Sequence, residues 1–219
     1  MSTHFENWRG DWETAKDAVG DVKRILDIWK KPAPPGWKKE GLNLTQGFRS
    51  NSVKYRGEQE LERLLLGAQG GFNIHCIKWA KELWPFVAMH HRLYIANQKK
   101  GQVIADAFGL ILLGSEVHPV AVEVKVKAND CWSAMVQNLL QIRMLRHCHK
   151  VLKREFAIDL KGVWGIVLAP KTYFEHDRVK FAACQNAMKA LKSTEARVAF
   201  CSSDGLGRHN IKYLAGNWR

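Results

Sequence analysis

Val103-Ile-Ala-Asp106-Ala-Phe108 and Val120-Ala-Val-Glu123-Val-Lys125-Val126 decide how this chain reads. Each is a short run of apolar and β-branched residues flanked by turn formers, the pattern of a buried β-strand. Each also carries charge: Asp106 in the first run, Glu123 and Lys125 in the second. Charge on a buried strand is costly to desolvate unless it pairs with other charge or holds a metal. Side chains alternate along a strand, so Val122, Val124 and Val126 share one face while Glu123 and Lys125 share the other. The intervening Gly114-Ser-Glu-Val-His-Pro119 reads as a loop, and the resulting antiparallel pair brings two carboxylates and one ammonium together.

Outward from this pair the chain alternates strands and helices. Asn129 or Asp130 suits a helix N-cap, and the helix that follows carries Trp132, Met135, Val136, Leu139, Leu140 and Leu145 as an apolar stripe running on towards Phe156. Residues 163–168 read as a buried strand, 174–191 as one helix and 196–201 as a last strand. Upstream, residues 86–95 read as a strand, 74–83 as helical and 58–66 as a short helix with Leu61, Leu64 and Leu65 inward. Residues 11–31 form an amphipathic pattern through Ala15, Ala18, Val19, Val22, Ile25, Leu26 and Trp29, ended by Lys31-Pro-Ala-Pro-Pro-Gly36. This divides the chain into an N-terminal helical and basic arm, 1–55, and a domain, 56–219. The element order describes an α/β domain with a mixed central β-sheet flanked by helices.

Composition narrows the function. At 219 residues, 46% hydrophobic and 25% charged, the chain supports one sizeable core. No apolar run approaches the roughly 20 residues that span a bilayer. Glu6, Asp11 and Glu13 stand where a secretory signal would be apolar, so a cytoplasmic protein with no membrane partner is expected. Five scattered cysteines read as free thiols in a reducing compartment. A net charge of +13 and a pI of 9.7 favour a polyanionic partner. Nine tryptophans sit at helix and strand spacing and read as packing rather than base-stacking platforms. Several other chemistries are excluded. His147-Cys148-His149 cannot converge on one zinc, because adjacent helical residues diverge by about 100°. There is no C-x-x-C pair and no P-loop, and Gly205-Leu-Gly207 lacks a strand–turn–helix context.

The pairing of Ile104-Ala105-Asp106 with Glu123-Val124-Lys125 on consecutive strands, a glutamate-bearing helix before it and a glutamine-bearing helix after it resembles the PD-(D/E)XK nuclease superfamily. The resemblance covers about residues 56–201. Ala105 stands where a proline often precedes the aspartate. The resemblance implies a restriction-endonuclease-like core and a nuclease that hydrolyses phosphodiester bonds in DNA with Mg²⁺, for which Mn²⁺ could substitute. Asp106 and Glu123 would bind the metal, joined by the Val124 backbone carbonyl and by Glu62 or Glu58, with Glu62 preferred. Lys125 would assist the attacking water, and Gln137 or Gln141 would face the site. Hard carboxylate oxygens suit Mg²⁺ on physical grounds as well.

Arg143, Arg146, Lys150, Lys153 and Arg154 mark a surface able to track phosphates. The same residues also suit a catalytically silent nucleic-acid-binding protein. A third reading is a structural or assembly subunit whose N-terminal helix mediates oligomerisation, a homodimer being possible, with the charge serving solubility. A salt-bridged polar patch would contain the same Asp106, Glu123 and Lys125.

Overall fold

The computed structural model describes residues 16, 18–31, 42–44, 73–76, 82–95, 104–113, 115–126, 130–156, 162–203 and 210–218. In chain order these form α1 (Val19–Lys30), β1 (Leu42–Leu44), β2 (Asn73–Cys76), β3 (Glu82–Ile95), β4 (Ile104–Leu113) and β5 (Glu116–Val124). The remainder comprises α2 (Cys131–His147), α3 (His149–Phe156), β6 (Trp164–Ala169), α4 (Lys171–Glu175), α5 (Arg178–Leu191), β7 (Arg197–Ser202) and β8 (Asn210–Gly216). The fold is α/β, with one mixed sheet in the order β1-β3-β2-β8-β7-β6-β5-β4. The long β3 also pairs with β4, so the pairings close on themselves through it. β5, β6 and β7 run parallel, connected by crossovers through α2–α3 and α4–α5.

The β4–β5 ladder follows from sequence. Both strands are rich in Val, Ile, Leu and Ala, and their register pairs Ala107 with Val122, Phe108 with Ala121 and Leu110 with Pro119. β5 begins earlier than expected, because Glu116 to Pro119 continue the ladder with β4 and leave only a tight turn near Ser115. Pro119 is tolerated there because pairing with β6 starts at Val120, so the side of Pro119 that lacks an N–H faces no β6 partner.

The two faces of β5 serve different layers. Val120, Val122 and Val124 join Ala107, Ile166, Leu168, Ala199 and Cys201 in a core on one side of the sheet. Ala121 belongs to the larger core on the other side, built with α1, α2 and α5 around Trp132, Met135, Leu139, Phe174 and Phe200. Ala18, just before α1, and Ile25 of α1 enter this larger core, and the helix packs on α5. Cys131, Cys148, Cys184 and Cys201 are buried free thiols, with Cys131 and Cys184 meeting at 3.9 Å where α2 and α5 pack.

Other expectations change as well. Residues 74–76, expected within a helix, belong to β2 between β3 and β8: Asn73-Ile-His-Cys76 alternates polar and apolar side chains, and it is paired along both edges. The single helix over 174–191 divides into α4 and α5. Asp177 takes extended backbone and caps α5 by accepting from the Lys180 N–H at 2.9 Å, so helical geometry stops and restarts there. The long helix towards Phe156 breaks at Cys148 between α2 and α3. β1 and β8 were not anticipated. Asp130 caps α2 as expected, accepting from the Ser133 N–H at 2.7 Å. The expected helix at 58–66 lies outside the described residues.

Gly165 on β6 marks a close approach of α2 to the sheet. A Cβ there would collide with Asn138 Oδ1 and lie 2.6 Å from Ile142 Cδ1. Gly165→Ala is therefore expected to destabilise the fold by about 1–3 kcal/mol through overpacking. A denaturant titration that leaves the midpoint unchanged would show that α2 can shift freely.

Candidate active site

The site forms where β5 stays zipped to β6 but exchanges its β4 partner for a side chain. On one edge, the Lys125 N–H donates to the Leu168 carbonyl at 2.9 Å, carrying the β6 pairing past the end of β5. On the other edge, the β4–β5 register ends with Ala107 opposite Val122, and Asp106 lies just past that last pair. The Val124 N–H donates to Asp106 Oδ2 at 2.9 Å. An extended residue directs its N–H and C=O to the same edge, so the Val124 carbonyl also lies on the Asp106 side.

Alternation turns Glu123 towards α2, where its side chain is fully buried. Its two oxygens have different donors: Lys125 Nζ reaches Oε1 and Gln141 Nε2 reaches Oε2. Lys125 keeps 7% of its surface exposed, so its stem is covered by protein while its ammonium sits on the carboxylate. Gln141 is also fully buried, brought to Glu123 by the packing of α2 on β5. Asp106 is half-buried and forms the more open side of the group.

The electrostatics follow from this crowding. Burial, then the Asp106 carboxylate, push Glu123 up to about 8, while Lys125 and Gln141 pull it the other way. Two carboxylates sharing one place repel, and a cation between them would relieve the repulsion.

The structure thus brings together Asp106, Glu123, Val124, Lys125 and Gln141. Gln137, the alternative to Gln141, is exposed on α2. Glu58 and Glu62 lie outside the described residues. Among the described residues no group of three or more His, Cys, Asp or Glu is gathered as a metal cluster. Of the proposed phosphate contacts, Lys150 is exposed on α3 and Arg146 is partly exposed. Arg146 pairs with Glu195 and stacks over Trp29 at 5.2 Å. Arg143 turns inward: it is 8% exposed, donates to the Lys31 carbonyl at 2.8 Å, and has its basicity lowered by burial. The stripe expected to track phosphates is therefore narrower than the spacing implied. A cavity of about 340 Å³, lined by Pro119, Arg146, His149, Leu152, Lys153 and Glu195, opens by the Pro119 end of β5, away from the carboxylates.

Asn138 was missed. It lies one turn before Gln141, fully buried, and its Nδ2 donates to Gln141 Oε1 at 3.0 Å and to the Ala121 carbonyl at 3.1 Å. The signal was available: Met135, Asn138, Ile142 and Leu145 recur at three- and four-residue steps, placing one amide on an apolar stripe.

Comparison of the chain with protein-family models, with curated proteins and with solved structures finds no match. No helix among the described residues is long and apolar enough to cross a membrane.

The raised Glu123 has a consequence for stability. The folded state holds its proton more tightly than the unfolded chain, where a glutamate titrates near 4.5. The associated stability is full below that value and is lost as pH rises through about 8. Glu123→Gln removes this dependence. Without divalent cations, its melting temperature relative to wild type should rise by a few degrees between pH 5 and pH 8. A pH-independent difference would contradict this.

Proposed function

We propose that this protein is a divalent-metal-dependent nuclease of the PD-(D/E)XK type, with a restriction-endonuclease-like core, that hydrolyses phosphodiester bonds in DNA. One observation carries the reading: a buried glutamate held by a lysine and a glutamine, with a second carboxylate, Asp106 of the facing strand, accepting from the N–H of the next residue, Val124. A purely structural sheet gains little from such an arrangement, because a buried ion pair is often no better than apolar packing.

The donor set fits Mg²⁺, or Mn²⁺ in its place. Asp106 and Glu123 offer hard oxygens, the Val124 carbonyl lies on the same edge, and mutual repulsion of the carboxylates favours a cation between them. Glu62, or Glu58, would be the further ligand supplied by the upstream helix. Such an ion supplies charge neutralisation to the phosphodiester and acidifies water.

The remaining work falls to the chain. Hydrolysis delivers hydroxide to phosphorus and a proton to the leaving oxygen, with cleavage of one P–O bond. Lys125, beside Glu123, would orient the attacking water and stabilise charge growing on the phosphoryl oxygens. Gln141 holds Glu123 in one orientation. Asp106 ties the Val124 edge of β5, which keeps that carbonyl aimed at the same place. The net charge of +13, with Lys150, Arg146 and Lys153 near the α2–α3 junction, supplies attraction for a phosphate backbone. These features are compatible with the expected cytoplasmic setting.

A second reading draws on a specific feature. Both Glu123 oxygens are already engaged within the chain, which also suits a DNA-binding protein that has kept the fold without cutting.

Plasmid, linear and branched DNA incubated with Mg²⁺, Mn²⁺ or EDTA separate the readings. Asp106→Ala and Lys125→Ala should each lower cleavage by about 10²-fold or more, with EDTA abolishing it and DNA retention in a mobility shift preserved. Absence of cleavage by wild type on every substrate, with binding intact, would favour the silent protein. Binding itself should weaken steeply and log-linearly with salt. No mobility shift even at low salt would leave an assembly subunit, with the N-terminal helix as its dimer contact, as the better account.

A further inference from the structure

Asn138 is fully buried on the sheet-facing stripe of α2, and the cleavage chemistry above assigns it no part. Its Nδ2 donates to the Ala121 carbonyl and to Gln141 Oε1. Gln141 then donates to Glu123 Oε2, while Lys125 holds Oε1. These contacts make one directed path from the β5 backbone, through two side-chain amides, back to the carboxylate on β5.

The direction of that path is imposed from both ends, because the Ala121 carbonyl and the Glu123 carboxylate only accept. A side-chain amide has one accepting end and one donating end, and rotation of its terminal torsion exchanges them. A backbone carbonyl can only accept. Asn138 must therefore turn its NH₂ to Ala121, and the second N–H falls on Gln141 Oε1. With Oε1 taken, Gln141 has only its NH₂ to offer Glu123. The opposite orientation would set two acceptor oxygens against each other.

We infer that Asn138 is a positioning residue: anchored on the Ala121 carbonyl, it sets the amide orientation of Gln141 and thereby the direction in which Glu123 is held. Its own Oδ1 has no hydrogen-bond partner among the described residues and lies buried against Gly165. A half-satisfied buried amide is costly, and an apolar residue at this position would avoid that cost. What an apolar residue could not do is orient Gln141.

The contribution to cleavage rests on the nuclease reading, whereas the amide orientation does not, and the test keeps the two apart. In the ¹⁵N-labelled full chain, the side-chain NH₂ resonances of Gln141 are identified by their loss in Gln141→Glu. Asn138→Leu, which keeps the branching at Cγ and removes the donors, should shift those resonances and speed their exchange with water. Asn138→Ser serves the same purpose if the leucine variant does not fold. On plasmid DNA at saturating Mg²⁺, Asn138→Leu should lower kcat about 10- to 100-fold with little change in KM. In a Gln141→Ala background it should add no further loss, because the two residues act as one unit. Unchanged Gln141 resonances, or losses that multiply in the double variant, would overturn the inference. If wild type cuts no DNA, the nuclease reading fails and the amide resonances alone decide the role of Asn138.

Discussion

The contact between the buried Glu123 carboxylate and its two donors, Lys125 and Gln141, is the constraint on which the rest of the architecture depends. A fully buried carboxylate is several kcal/mol worse off than one in water unless charge and hydrogen bonds surround it. Meeting that demand needs β5 in the interior of the sheet, Lys125 two residues along on the same face, and α2 laid across both. The close seat of α2 on β6 at Gly165 and the Asp130 cap at its N-terminus are what hold the helix in that place. Even so, burial and Asp106 leave the carboxyl reluctant to ionise. Under the proposed function, a divalent cation beside Asp106 would relieve that reluctance.

The edge between β4 and β5 shows how a regular sheet turns into a site. Further along, the two strands pair as any antiparallel ladder does, filling both cores with valine, alanine, isoleucine and phenylalanine. At Asp106 a side chain, not a ladder partner, meets the Val124 N–H. That substitution gathers a carboxylate, a backbone carbonyl and the Glu123–Lys125 pair at one edge, on the partly exposed side of an otherwise buried strand. The layer of valines on the opposite face of β5 keeps this edge from shifting, since each is packed against β4, β6 or β7.

Much of this was legible from residues alone. The period-two alternation of Val122, Val124 and Val126 against Glu123 and Lys125 predicts the two faces, and they separate as expected. The apolar stripe of α2 and its Asp130 cap were equally plain. What misled was local ambiguity. Residues 74–76 read as helical, yet pairing along both edges, with β3 and β8, makes them strand. Asp177 looked like one polar residue inside a helix until its extended backbone restarted α5. Arg143 read as a surface cation, yet the carbonyl at the end of α1 draws it inward.

By itself, then, the sequence determined the strand pair, the face on which each charge lies and the helix that covers them. These follow from side-chain periodicity and capping, which act over a few residues. The tertiary structure alone decided between Gln141 and Gln137 and enlisted Asn138 behind it. Both glutamines lie on α2 four residues apart, on the same nominal stripe. Only the seating of that helix on β5 and β6, close where Gly165 leaves room for Asn138, buries one against Glu123 and leaves the other exposed. Such a choice depends on how two elements approach each other, and periodicity along one element does not encode it.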